Sequence, residues 1–89
     1  MIAINSLDQD LIQEIARRQQ KMEVLLKLAQ FKEDTHLFVD ALMLYQKARP
    51  LSYYVGKCLK VTVQIEECDL TKWHWINDKI EGLKFKIGY

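Results

Sequence analysis

Leu59-Lys60-Val61-Thr62-Val63-Gln64-Ile65-Glu66 is the stretch on which the fold reading turns. Leu59, Val61, Val63 and Ile65 alternate with polar neighbours, and Val61, Thr62, Val63 and Ile65 are β-branched, which restricts their χ1 freedom in a helix. The period of two predicts a strand with one apolar and one wet face. Just upstream, residues 51–55 are rich in tyrosine and are followed by Gly56. They form a second strand candidate that could pair with the first as a hairpin.

Further upstream, Pro50 divides the chain. Before it the rhythm is three and four. Leu11, Ile12, Ile15, Met22, Leu25, Leu26 and Ala29 describe one apolar stripe on a long helix over residues 7–31. Ser6 and Gln9 have capping-box spacing at its start. Such a helix would run about 37 Å, longer than the strands it could cover, so part of its stripe should pack on a second helix or a second copy of the chain. Arg18 interrupts the seam and argues against a long dry coiled coil. Leu37, Phe38, Ala41, Leu42 and Tyr45 give a second helix, capped by Asp34 or Thr35 and ended at Arg49-Pro50, because the residue before proline is pushed out of the α region.

Downstream, Asp69 can cap a short helix with Trp73, Ile76, Ile80 and Leu83 on one face, after which Leu83, Phe85 and Ile87 alternate with Lys84 and Lys86 as a last strand. The expected class is therefore α+β, a single domain over residues 1–89. Two N-terminal helices, the first one long, precede a small, mainly antiparallel sheet of two to three strands with a short helix before the last.

Composition bounds the function. The 89 residues are 49% hydrophobic and 28% charged with a net charge of +1, and acids and bases balance along the length. That composition excludes a disordered chain and gives no basic excess for non-specific nucleic-acid binding. A domain this small buries only roughly 60–65% of its unfolded surface, which makes self-association favourable, and a homodimer partly through the first helix is expected. Its longest apolar run covers only residues 41–45, and the amino terminus lacks a basic region before an apolar segment. No membrane span and a cytoplasmic setting with free thiols follow as expectations.

Cys58, Cys68, His36 and His74 are the soft-ligand inventory, but the cysteines are too far apart for the paired spacing of a structural zinc site, so no metal or cofactor is expected. Cys68, His74, Asp69 and Asn77 contain the residue types of a nucleophilic site without any recognisable motif. The chain is therefore expected not to be an enzyme. Trp73-His74-Trp75 is the most unusual local feature. On a helix residues two apart diverge by about 200°, so Trp73 is assigned to the core, while Trp75 either packs over a helix edge or under a loop or serves as an interface anchor; on a strand the two would share a face. Tyr53, Tyr54 and Tyr89, with Lys72, Lys84 and Lys86, complete a candidate binding surface at an exposed sheet edge. These features point to a small interaction module of the adaptor, inhibitor or regulatory-subunit kind, of a size common among phage and bacterial accessory proteins. The rival is a nucleic-acid-binding regulator in which Lys72, Lys79, Lys84 and Lys86 track phosphates while Trp75, Phe85 and Tyr89 stack on bases, although Asp69, Asp78 and Glu81 interrupt that run.

Overall fold

The three-and-four rhythm does not stop at Pro50. Leu44, Ala48, Leu51 and Val55 carry it through the proline, and all four lie on the buried or half-buried side of one helix. A computed structural model describes residues 2–62 and 70–88 and shows three helices: α1 (Ile2–Asp34), α2 (Phe38–Thr62) and α3 (Thr71–Ile87). No strand occurs among the described residues, so the α+β expectation is overturned in favour of an all-helical bundle.

Each expected strand has its own explanation. Residues 51–55 and 59–62 belong to α2, and 63–66, the rest of the alternating stretch, lie outside the described residues. β-propensity is a weak preference that helix packing overrides, and Leu51 and Val55 are four apart as well as belonging to an apolar run. In α3 the alternation of Leu83, Phe85 and Ile87 is coincidental. Leu83 is buried with Ile76 and Ile80, Ile87 packs beside them four residues on, and Phe85 is 88% exposed.

The cap assignments change too. Ser6 cannot cap α1, because the helix begins four residues earlier. Thr35 closes α1 instead of opening α2, its hydroxyl donating to the carbonyls of Phe31 and Lys32 at 3.0 and 3.1 Å. The reversal between α1 and α2 is a Schellman turn: Leu37 N–H donates to the Lys32 carbonyl at 2.8 Å, His36 N–H to the Glu33 carbonyl at 3.0 Å, and His36 takes the left-handed conformation with φ 62°. Asp69 lies outside the described residues; Leu70 stands at the N-cap of α3 without a side-chain cap, and Gly88 ends the helix at φ 97° with its N–H on the Lys84 carbonyl.

This turn folds α2 back antiparallel along α1. Ile15, Met22, Leu26 and Ala29 of α1 are buried, as are Ala41, Leu42, Tyr45, Ala48 and Val55 of α2. Helix α3 runs antiparallel to α2 on another side, as Lys86 lies beside Phe38 while Trp73 lies beside Tyr53. Helix α2 is thus the central element, with α1 and α3 both packing directly on it. The main apolar cluster draws on all three helices, and the particle is elongated, 53 × 22 × 16 Å.

Pro50 sits on the exposed side of α2, so the Gln46 carbonyl that loses its amide donor can turn to water. The proline still costs helix stability. Pro50→Ala should raise stability by about 2 kcal/mol, the helix-interior penalty of proline less its restriction of the unfolded chain. Chemical denaturation of the two proteins checks this, and an unchanged midpoint would contradict a helix that runs unbroken through position 50.

Candidate interaction surfaces

Tyr45 is the best-buried aromatic side chain, with no exposure at all. A buried phenol needs a partner for its O–H, and Tyr45 donates to Glu33 Oε1 at 3.0 Å, from the last turn of α1. Lys79 of α3 approaches both oxygens of the same carboxylate at 3.4 Å. Its ammonium stands 5.5 Å from the ring centroid of Trp75, and the Trp75 ring meets Tyr45 edge-on at 5.9 Å and 77°. The four side chains close a loop that ties together three helices. Burial, and then the hydrogen bond and charge of Glu33, push the Tyr45 pKa well above the ordinary tyrosine value. Beside this loop, Arg49 donates to Asn77 Oδ1 at 3.3 Å and joins α2 to α3 again.

The side chains expected to form one binding surface are divided among several. Tyr53 pairs with Trp73 at 5.8 Å, with Lys57 over its outer face at 5.3 Å, and Trp73 also meets His74 at 5.0 Å. Trp75, 37% exposed, lies on the other flank of α3, over Tyr45. Tyr54 turns to α1, where Arg18 stacks its guanidinium 4.1 Å from the ring centroid. Lys72 is exposed in the first turn of α3, Lys84 is 3.8 Å from Glu81, and Lys86 stands 5.0 Å from the Phe38 ring centroid. Tyr89 lies outside the described residues. The sheet edge meant to organise these residues is not found among the described ones, and Lys79, Lys84 and Lys86 make intramolecular contacts rather than forming one basic track with Lys72.

Arg18 also answers the question of the interrupted seam. Its Nε donates to Glu14 Oε1 at 2.8 Å while its plane covers Tyr54, so it is an intramolecular clasp between α1 and α2. The Arg18 hydrogen bond, with the charges of Arg17 and Arg18 and against some desolvation, holds the Glu14 carboxyl below its usual pKa.

A surface the sequence reading missed runs along the α1–α2 pair. Three depressions lie in line there. The first is lined by Lys32, Asp40, Met43, Leu44 and Lys47; the second by Lys21, Leu25, Lys47, Pro50 and Leu51; the third by Glu14, Arg17, Arg18, Lys21 and Leu51. Neighbouring depressions share lining residues, Lys47 between the first two and Lys21 with Leu51 between the last two, so together they form a groove along one side of the helix pair. Its central part holds about 560 Å³. The missing signal was the continuation of the helical period past Pro50, which alone puts Leu51 on the same face as Leu44.

His36 lies in the turn after α1 and His74 on α3, and no three His, Cys, Asp or Glu side chains come together among the described residues. Cys68 lies outside them, and Cys58 belongs to α2. No described helix is long and apolar enough to cross a membrane. No family model, curated protein or solved structure matches the chain.

Two outcomes follow from the Tyr45 loop. Because the folded-state pKa of Tyr45 is raised above its unfolded value, its contribution is complete below pH about 10 and is lost as pH rises further, when the unfolded chain releases the proton first. Tyr45→Phe should cost about 1–2 kcal/mol at neutral pH, the hydrogen bond to a carboxylate, and should flatten the stability loss above pH 10. Urea titrations at pH 7 and 10.5 test both parts, and an equal alkaline loss in the two proteins would exclude Tyr45 as its source. Trp75→Ala should cost about 1–2 kcal/mol for its lost edge contact and partial burial, and Trp75→Phe clearly less. Denaturation of the pair checks this, and full stability in Trp75→Ala would show that the indole is no part of the fold.

Proposed function

We propose that this chain is a non-enzymatic protein–protein interaction module, an adaptor, inhibitor or regulatory subunit of a reducing cytoplasmic setting, and that it binds through helical faces. One observation carries the reading: among the described residues, ten large apolar side chains, spread over all three helices and the turn, are 37% to 88% exposed. Scattered single apolar residues are ordinary on a protein surface, but several of these recur at helical spacing, as a partner's contact face does. Nucleic acid is the less favoured partner, since Lys79, Lys84 and Lys86 are each engaged within the chain.

A second reading, a homodimer through α1, rests on its own observation. Val24, Leu28 and Phe31 follow one another at four and three residues and are 52%, 46% and 60% exposed, on the side of α1 away from Met22, Leu26 and Ala29. The helix therefore has two apolar faces, and one of them is already covered by α2. Paired Leu and Phe at this spacing match a short seam between two helices.

The tagged full chain, used to capture partners from native host lysate at raised salt and after nuclease treatment, should retain a protein in stoichiometric amount. Retained material that disappears with nuclease or salt would point to nucleic acid instead. Light scattering distinguishes the dimer: twice the 10.6 kDa chain mass for the native protein and a monomer for Leu28→Glu/Phe31→Glu. A monomeric native chain at micromolar concentration would end that second reading.

A further inference from the structure

The α1–α2 groove has a floor and a rim of different chemistry. Leu25, Leu44 and Leu51 form an apolar floor, half-buried against the main cluster, with Pro50 at one wall. Lys21 of α1 and Lys47 of α2 both line its centre, and both are exposed. At the two ends the charges are paired: Glu14 takes Arg17 at 3.2 Å and Arg18 at 2.8 Å, leaving one positive charge over, and Asp40 lies 4.0 Å from Lys32. In the middle they are not. Among the described residues Lys21 and Lys47 have no ion-pair partner, so the centre of the groove carries two uncompensated positive charges over an apolar strip.

We infer that this groove receives an acidic amphipathic helix of a partner protein, its apolar ridge on Leu25, Leu44 and Leu51 and its carboxylates on Lys21 and Lys47. The inference rests on the interaction reading above and names the partner's chemistry. Three arguments select this occupant. Apart from the Gln46 carbonyl freed by Pro50, a groove between two helices offers no backbone donors or acceptors, so an extended segment would bury unpaired amides, whereas a helix brings its own backbone already bonded. From Glu14 to Lys32 the groove follows α1 for about 27 Å, the length of a helix of about 18 residues. A second copy docked here about a two-fold axis would set Lys21 and Lys47 against their own equivalents, and like charges at an interface centre are repelled. The apolar floor contains no aromatic ring for a base to stack on, which disfavours a nucleic-acid strand.

The test uses the full chain and a fluorescein-labelled peptide of about 18 residues with leucines at a and d positions and glutamates beside them, read by anisotropy. A matched peptide carries lysines in place of the glutamates. The native chain should bind the acidic peptide and not the basic one. Lys21→Glu/Lys47→Glu should weaken the acidic peptide by roughly tenfold or more and gain affinity for the basic one, with the circular dichroism spectrum and melting temperature unchanged. Lys27→Glu, on α1 but off the groove, should bind as the native chain does. Equal binding by Lys21→Glu/Lys47→Glu, equal loss in Lys27→Glu, or no binding to the native chain would each overturn the inference. So would a single-stranded DNA oligomer binding through Lys21 and Lys47 while the acidic peptide does not. Should a lysate partner still be retained by Lys21→Glu/Lys47→Glu as well as by the native chain, the groove assignment falls while the interaction reading stands.

Discussion

The hydrogen bond from Tyr45 to Glu33 fixes more of this structure than its own energy suggests. Helix pairs packed by Leu, Ile and Ala can slide and rotate at small cost, because dispersion has no direction. A buried phenol has direction: it must end on an acceptor, and here the acceptor is a carboxylate at the last turn of α1. The same carboxylate takes Lys79 from α3, and the Trp75 ring lies against the Tyr45 ring that brought the carboxylate in. One side chain from α1, one from α2 and two from α3 thus agree on a single relative placement of the three helices. The Schellman turn at His36 lies three residues beyond Glu33, so the chain reversal and the polar loop reinforce each other at the same end of the hairpin.

Making α2 the common partner of α1 and α3 has a consequence for the surface. Both outer helices spend one face on α2 and leave the other unpaired, which is why α1 carries Met22, Leu26 and Ala29 inward while Val24, Leu28 and Phe31 stand outward. A larger domain would cover such faces with further elements. Among the described residues no further element does, and apolar side chains exposed at helical spacing are the kind of surface that another helix can cover.

The helical half of the fold was legible in the sequence because its apolar stripes are regular: Ile15, Met22, Leu26 and Ala29, then Ala41, Leu42 and Tyr45, are buried on the faces that their spacing assigns, although Ile12 and Leu37 of the same stripes are exposed. The sheet was misread for two separable reasons. Pro50 reads as a stop in the sequence, yet a proline on the exposed side of a helix forfeits one bond to a carbonyl that water can reach, a loss that the packing of Leu51 and Val55 beyond it outweighs. An i, i+4 apolar pair is common to a strand face and a helix stripe, so Leu83 and Ile87 satisfy both, and only burial decides. The expected sheet edge would gather Tyr53, Tyr54 and Trp75 in one surface with Trp73 in the core, whereas Trp73 is only half-buried and lies outside the main cluster. On α3, Trp73 and Trp75 diverge to opposite flanks, one to Tyr53 and one to Tyr45. Glu33 and Lys79, the polar half of the central loop, lie 46 residues apart and no local pattern links them.

Packing is not uniform along the hairpin. The main cluster gathers around Tyr45, near the turn, whereas Ile15 and Val55 are buried outside it and are joined at that level by Arg18 stacked on Tyr54. The basic groove starts beside the turn, at Lys32 and Asp40, and runs to the level of Glu14 and Arg18. A helix laid along it would contact α1 and α2 at once, so binding and the pairing of α1 with α2 would support each other. The direction of that coupling follows from mass action: whatever holds the two helices in the packed arrangement stabilises that arrangement by the free energy of its binding.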